Sequence, residues 1–148
     1  GSNPFFPEQE DISPELEEDV SDFLTTAIEL QIEAYRNSNS SIAAPVMAGE
    51  VLASLESSLA ELNQQGLVMI SEIDYYQSYI DDIRVITSTR IEVDTCEVWT
   101  NTIYRASDGE PLDSEGPALL PQTITIEQLD SSWYITTVQF HDVPSFCS

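Results

Sequence analysis

A chain of 148 residues with 41% apolar residues is long enough for one domain with a real core. Its charge is one-sided: 27 acidic residues face four arginines and no lysine, for a formal net charge of −23. Four scattered arginines cannot replace phosphate counterions or dock on an anionic bilayer, which excludes nucleic acid and anionic membrane surfaces as partners.

A basic partner or a divalent cation stays open. So does the plainer alternative that the acids keep the chain soluble in a salty medium. No apolar run approaches the roughly 20 residues of a membrane span.

Residues 1–13 mix prolines, acids and two phenylalanines and read as a flexible arm or tether. The opening Gly1-Ser2 reads as a cleavage scar, so a natural signal or anchor is expected upstream of it. Residues 14–148 read as one domain. Ser13-Pro14 is a helix start, with Ser as N-cap and Pro at the first helical position. Glu15, Glu17 and Glu18 suit the positive end of the helix dipole. The stripe Leu16, Val20, Phe23, Ala27, Leu30 and Ala34 predicts a long amphipathic helix to about Asn37, widened on one side by Leu24, Ile28 and Tyr35.

Asn37 to Ser41 is a loop. A short helix is expected near Pro45, then a further one carrying Leu52, Leu55, Leu59 and Leu62 and ending at Gly66, which suits a left-handed cap. After Gly66 the period changes to that of strands. Segments 67–76 and 79–87 are rich in β-branched and aromatic residues. Thr87-Ser88-Thr89 is a tight turn into a long third strand, 90–105, with Ile91, Val93, Trp99 and Ile103 of one parity and a bulge expected near Cys96–Trp99. Ser107 to Pro117 reads as a loop. Segments 119–129 and 133–141 are the last two strands, and 143–148 is a tail. Three helices followed by antiparallel strands define an α+β class, the long helix covering one face of a curved sheet.

A long N-terminal helix, two short helices, a glycine and a strand meander closing on Trp133-Tyr134-Ile135 resemble the nuclear transport factor 2-like (NTF2-like) superfamily. That cone-shaped, cystatin-like fold is shared with ketosteroid isomerase and polyketide cyclases. Cys96 in the third strand, the Asp108-Gly109 turn, Trp133 in the last strand and Cys147 near the end make the chain similar to exported actinobacterial domains of that superfamily. The resemblance covers about residues 14–147. It implies the cone and an extracytoplasmic place, secreted or anchored at the cell surface. It implies no particular chemistry, because the fold hosts enzymes, binding modules and assembly domains. The acid–base constellation of its catalytic members does not map onto this sequence.

Two cysteines alone, Cys96 and Cys147, in an acidic chain that resembles exported domains suggest a disulfide, a free buried thiol pair being the alternative. With one distant histidine they lack zinc-ligand spacing, and no metal or cofactor is expected. His141 and Asp142 are neighbours on a strand, point to opposite faces and so make no acid–base dyad. Tyr75, Tyr76 and Tyr79 with Glu72 and Asp74 form an aromatic and acidic cluster that could polarise a carbonyl, or simply pack across strands. Asp108, Glu110, Asp113 and Glu115 crowd one loop, without EF-hand spacing, and read as a solvated hairpin tip. Asn39-Ser40-Ser41 matches a glycosylation sequon, a short pattern that is common by chance.

The favoured functional reading is a non-catalytic module that binds a small apolar ligand or a protein partner, or forms a homodimer through the open sheet face. The alternative is an isomerase-, cyclase- or dehydratase-type enzyme using a carboxylate and a tyrosine in the cone. In either case the ligand space lies between the long helix and the sheet. Phe23 and Tyr35 would wall it from the helix, and Tyr75, Tyr79, Trp99 and Trp133 from the strands. No catalytic residue can be assigned from the sequence.

Overall fold

The computed structural model describes residues 13–143 and 145–147, so the arm expected over 1–13 falls, apart from Ser13, outside the described residues. Helix α1 spans Pro14–Arg36. Ser13 caps it, its Oγ accepting from the Leu16 amide at 3.1 Å. Buried Leu16, Val20, Leu24, Ala27 and Ala34 form its inner stripe. Small Ala27 and Ala34, both fully buried, let the helix lie close to the layer beneath.

A 3-10 helix over Ser40–Ile42 follows, capped by the Asn39 side chain. It begins inside the segment read as a loop, and the short helix expected to begin near Pro45 does not form. Past it, residues 43–47 cannot extend a helix through proline, which has no N–H to donate. They pair instead with the sheet: Ile135 donates to the Val46 carbonyl at 2.8 Å and accepts from Ala48 at 3.0 Å. Helix α2 spans Gly49–Gln64, burying Leu55 and Leu59. Gly66, at φ +71°, turns the chain out of it.

Five antiparallel strands follow: β1 Leu67–Ile73, β2 Tyr79–Thr87, β3 Arg90–Arg105, β4 Pro111–Leu129 and β5 Ser132–Phe140. The order is β1-β3-β4-β5, with β2 also on β3. Because β1 takes residues 99–105 of β3 and β2 takes residues 90–96, the two short strands share one flank of the long one. The helices cover one face of this curved half-barrel. Fully buried Ile91, Val93 and Ile126 form its centre, with Ile91 opposite Ile126.

Three boundaries differ from the sequence reading. Strand β1 stops at Ile73, because the Asp74 carboxylate takes the Tyr76 and Gln77 amides and bends the chain, so Tyr75 and Tyr76 lie in a turn. The segment expected as a loop to Pro117 is the outer half of β4, paired with Asn101–Tyr104 of β3. It is exposed on the sheet, so no apolar alternation marks it. The bulge falls at Thr100, opposite Gly116 and Pro117, one residue beyond the expected stretch. Gly116 has φ +105°, and a Cβ there would overlap the Trp99 carbonyl, so only glycine lets the strands approach.

The opposite face of the sheet carries the C-terminal tail. Cys96 and Cys147 are bonded to each other, with Cα atoms 5.7 Å apart. His141 donates from Nε2 to Thr123 Oγ1 (2.7 Å), and Thr123 donates to Asp94 Oδ1 (2.8 Å). Arg84 closes the chain with two bonds to Asp94, at 2.6 and 3.0 Å.

All four arginines sit in ion pairs: Arg36 with Glu33, Arg84 with Asp82, Glu92 and Asp94, Arg90 with Glu92, and Arg105 with Asp108 and Glu110. Among the described residues the other carboxylates meet no arginine, and their mutual repulsion opposes folding. Salt is therefore expected to stabilise the domain. Relief of about 2 kcal/mol would raise Tm by about 4–8 °C at this size. Thermal melts between low and molar sodium chloride check this, and a flat curve would mean that the acids are compensated locally.

Candidate functional site

Among the described residues, the space between helices and sheet holds a larger and a smaller cavity. The larger, about 460 Å³, lies between the second half of α1, helix α2 and the β4–β5 strands. Tyr35, Met47, Val51 and Val138 supply apolar wall, and Gln31 and Gln122 supply uncharged hydrogen-bonding groups. Phe140, at 65% exposure, stands at its rim. The smaller, about 170 Å³, lies between the first half of α1 and the β1–β2 corner. Leu24, Ile28, Ile73 and Ile80 wall it. Thr95, on the side of the smaller cavity, pairs in register with Gln122, on the side of the larger.

The smaller cavity has an unusual floor. Glu97 is only 5% exposed, and it shares a strand face with Ile91, Val93 and Trp99. Its carboxylate accepts from Thr95 Oγ1 at 2.5 Å and from the Trp99 indole N–H at 2.8 Å. None of the four arginines pairs with it. Tyr75 and Tyr79 line the same cavity, about half exposed. Burial, with the negative charges of Glu29 and Glu97 beside it, pushes the Tyr75 phenol above its ordinary value.

The six aromatic residues singled out from the sequence are thus distributed. Tyr35 lines the larger cavity, and Tyr75 and Tyr79 line the smaller. Phe23 and Trp133 pack against the core. Trp99 is buried and orients Glu97. Glu97 itself escaped the sequence reading, although a carboxylate at the parity of Ile91 and Val93 was a visible signal. Asp94, Thr123 and Arg84 escaped it too, because β4 meets β3 only through long-range pairing.

The other candidates have local roles. His141 bonds Thr123 and meets the Phe146 ring edge-on at 5.4 Å. That hydroxyl donates to Asp94, away from the imidazole, so the trio is not arranged as a nucleophile and base. Arg105 pairs with Asp108 and Glu110 in the acidic hairpin tip. Among the described residues, no group of His, Cys, Asp and Glu is placed to hold a metal ion.

No family model matches the chain, and no curated protein sequence matches it. Solved structures do. The intermembrane-space region of chloroplast protein ARC6 superposes with a TM-score of 0.70 at 16% identity, covering 84% of this chain and 95% of that one. A periplasmic fragment of TraM gives 0.56 at 13% identity, covering 85% and 97%. A candidate dehydratase of the NTF2-like family from Streptomyces avermitilis gives 0.55 at 12%, covering 87% and 99%. The chain has the NTF2-like fold, and at these identities the likeness establishes the fold alone.

Proposed function

We propose that the protein is a non-catalytic, extracytoplasmic binding module whose helix–sheet cleft receives an apolar ligand or an apolar segment of a partner. The open 460 Å³ cavity with exposed Phe140 at its rim carries this reading. The extracytoplasmic part draws on the Cys96–Cys147 disulfide and on the periplasmic and intermembrane-space origin of two similar structures.

The enzyme alternative has one observation in its favour, a carboxylate and a tyrosine in the smaller cavity. Two features weigh against it. Both Glu97 oxygens already accept a hydrogen bond. The Tyr75 phenol, pushed up, is a poorer proton donor than usual.

A neutral solvatochromic dye, Nile red, tests the binding reading without interference from the acidic surface. It is expected to bind the wild type. Ser54→Trp, on the exposed side of α2 and lining the larger cavity, is expected to weaken binding about tenfold by filling the space, a loss of about 1.4 kcal/mol. Equal dye binding by the two proteins would move the site elsewhere. Sedimentation equilibrium of the same samples tests the homodimer form of the proposal.

A further inference from the structure

We propose that the smaller cavity is a receptor for a primary ammonium group, with Glu97 as its counter-ion. This rests on reading the helix–sheet space as a binding site, and it names a ligand class for the part of that space the larger cavity does not cover.

A carboxylate held at 5% exposure is costly unless its charge is answered. Thr95 and Trp99 answer it in part, as neutral donors. All four arginines are engaged with other carboxylates, and the sequence has no lysine. No arginine or lysine of the chain is left to face Glu97, so a cation that reaches it through the cavity would be a ligand's. The cavity surface leads to the carboxylate rather than sealing it off, since Glu97 lines the space together with Thr95. Walls of Leu24, Ile28, Ile73 and Ile80 suit the methylene stem of an alkylamine. At the mouth, Tyr75 and Tyr79 offer aromatic surface that favours a passing cation. The negative charge felt by the Tyr75 hydroxyl comes from Glu29 and Glu97 together, so the field points the same way along the entry.

Size and valence narrow the class. A cavity of about 170 Å³ holds roughly five to six water-sized groups, enough for a butylammonium chain. Each Glu97 oxygen holds one bond and keeps a lone pair, which a compact ammonium can meet with a single bond at the end of a narrow apolar channel. An uncharged ligand would strip the carboxylate of water and give nothing back. The net charge of −23 would speed the encounter with any cation and make it salt-dependent. The ammonium could belong to a free alkylamine or to the lysine side chain of a basic partner.

The test titrates the full chain with n-butylammonium, with Nα-acetyl-lysine methylamide, and with the neutral isosteres butan-1-ol and Nα-acetyl-norleucine methylamide. The readouts are calorimetry and Trp99 fluorescence in a Trp133→Phe background, which reports directly on the indole bonded to Glu97. Both ammonium compounds are expected to saturate and to shift Trp99 emission, at least tenfold tighter than their isosteres. Tighter binding of the lysine compound would point to a protein partner, and tighter binding of butylammonium to a free amine. Glu97→Gln is expected to abolish the preference for charge. If that variant does not fold, Tyr75→Ala, in an exposed turn, is expected to weaken ammonium binding several-fold. Isosteres binding as well as amines, or undiminished binding in Glu97→Gln, would overturn the proposal. Ser54→Trp, followed by calorimetry because it adds a tryptophan, should leave amine binding unchanged. Loss of the amine signal with Nile red binding intact would sink the ammonium site and leave the apolar module standing, and loss of both would sink both.

Discussion

Removing the disulfide with Cys96→Ala and Cys147→Ala together is expected to destabilise the domain by about 4 kcal/mol in urea unfolding. The two cysteines are 51 residues apart. In the chain-entropy account, a cross-link over that span removes about this much freedom from the unfolded chain. The closed loop contains β4 and β5 entire, so the bond joins the end of the chain to the middle strand it packs on. Cys96 is fully buried and Cys147 nearly so, and among the described residues of the tail Phe146 meets the His141 ring while Val143 is exposed. Reduced wild type should match the double variant, and thiol titration of the oxidised protein should find no free thiol. A loss under about 1 kcal/mol would mean that strand pairing alone organises this end of the chain.

Arg84→Met is expected to cost about 2–3 kcal/mol at neutral pH and almost nothing in acid. Arg84 grips both oxygens of Asp94, whose side chain is 12% exposed. Removing one partner of a buried pair typically costs about 3–5 kcal/mol. The Arg84 side chain is 37% exposed, so solvent screening reduces the figure. The Arg84 bonds, helped by the Thr123 hydroxyl, hold the Asp94 carboxyl below its ordinary value, and the pairing pushes Arg84 up. A carboxyl depressed in the folded state contributes stability that is present above the unfolded pKa of about 3.9 and is lost as pH falls through its folded value. The gap between wild type and variant should therefore be constant from pH 7 to about 5 and close below about 4. Most of the acid repulsion changes in both proteins alike, so the difference reports on the carboxylates that Arg84 meets, Asp94 foremost, with Asp82 and Glu92 beside it. A gap that does not narrow at all as pH falls from about 5 into the acid limb would show that the methylene stem of Arg84, not its charge, was the contribution.

Much of the architecture was legible because it is written in local chemistry. Ser13-Pro14 announces α1, the four-and-three spacing from Leu16 to Ala34 gives it one buried face, and Gly66 ends α2 at a positive φ. The long β3 and the turn at Ser88–Thr89 follow from the same reading. Where local signals compete, the reading erred. Asp74 overrides the β-propensity of Tyr75-Tyr76 with two bonds to backbone amides. Residues 111–117 look like a loop by composition and become strand because β3 is long enough to pair with them.

The functional space shows the same division. That a ligand would meet α1 and the strands could be argued from the width of the helix stripe. That this space divides into two cavities, with Tyr35 in one and Tyr75 and Tyr79 in the other, depends on how the helices cross the sheet. Sequence alone determined the charge, the absence of lysine, the cysteine pair available for bonding and the periods of helix and strand, since these are properties of residues and their near neighbours. Tertiary structure alone decided that Glu97 is buried without a cation, and that Arg84, Asp94, Thr123 and His141 join across β2, β3, β4 and the start of the tail. Those contacts depend on strand register, and register is set by the whole sheet closing against its helices.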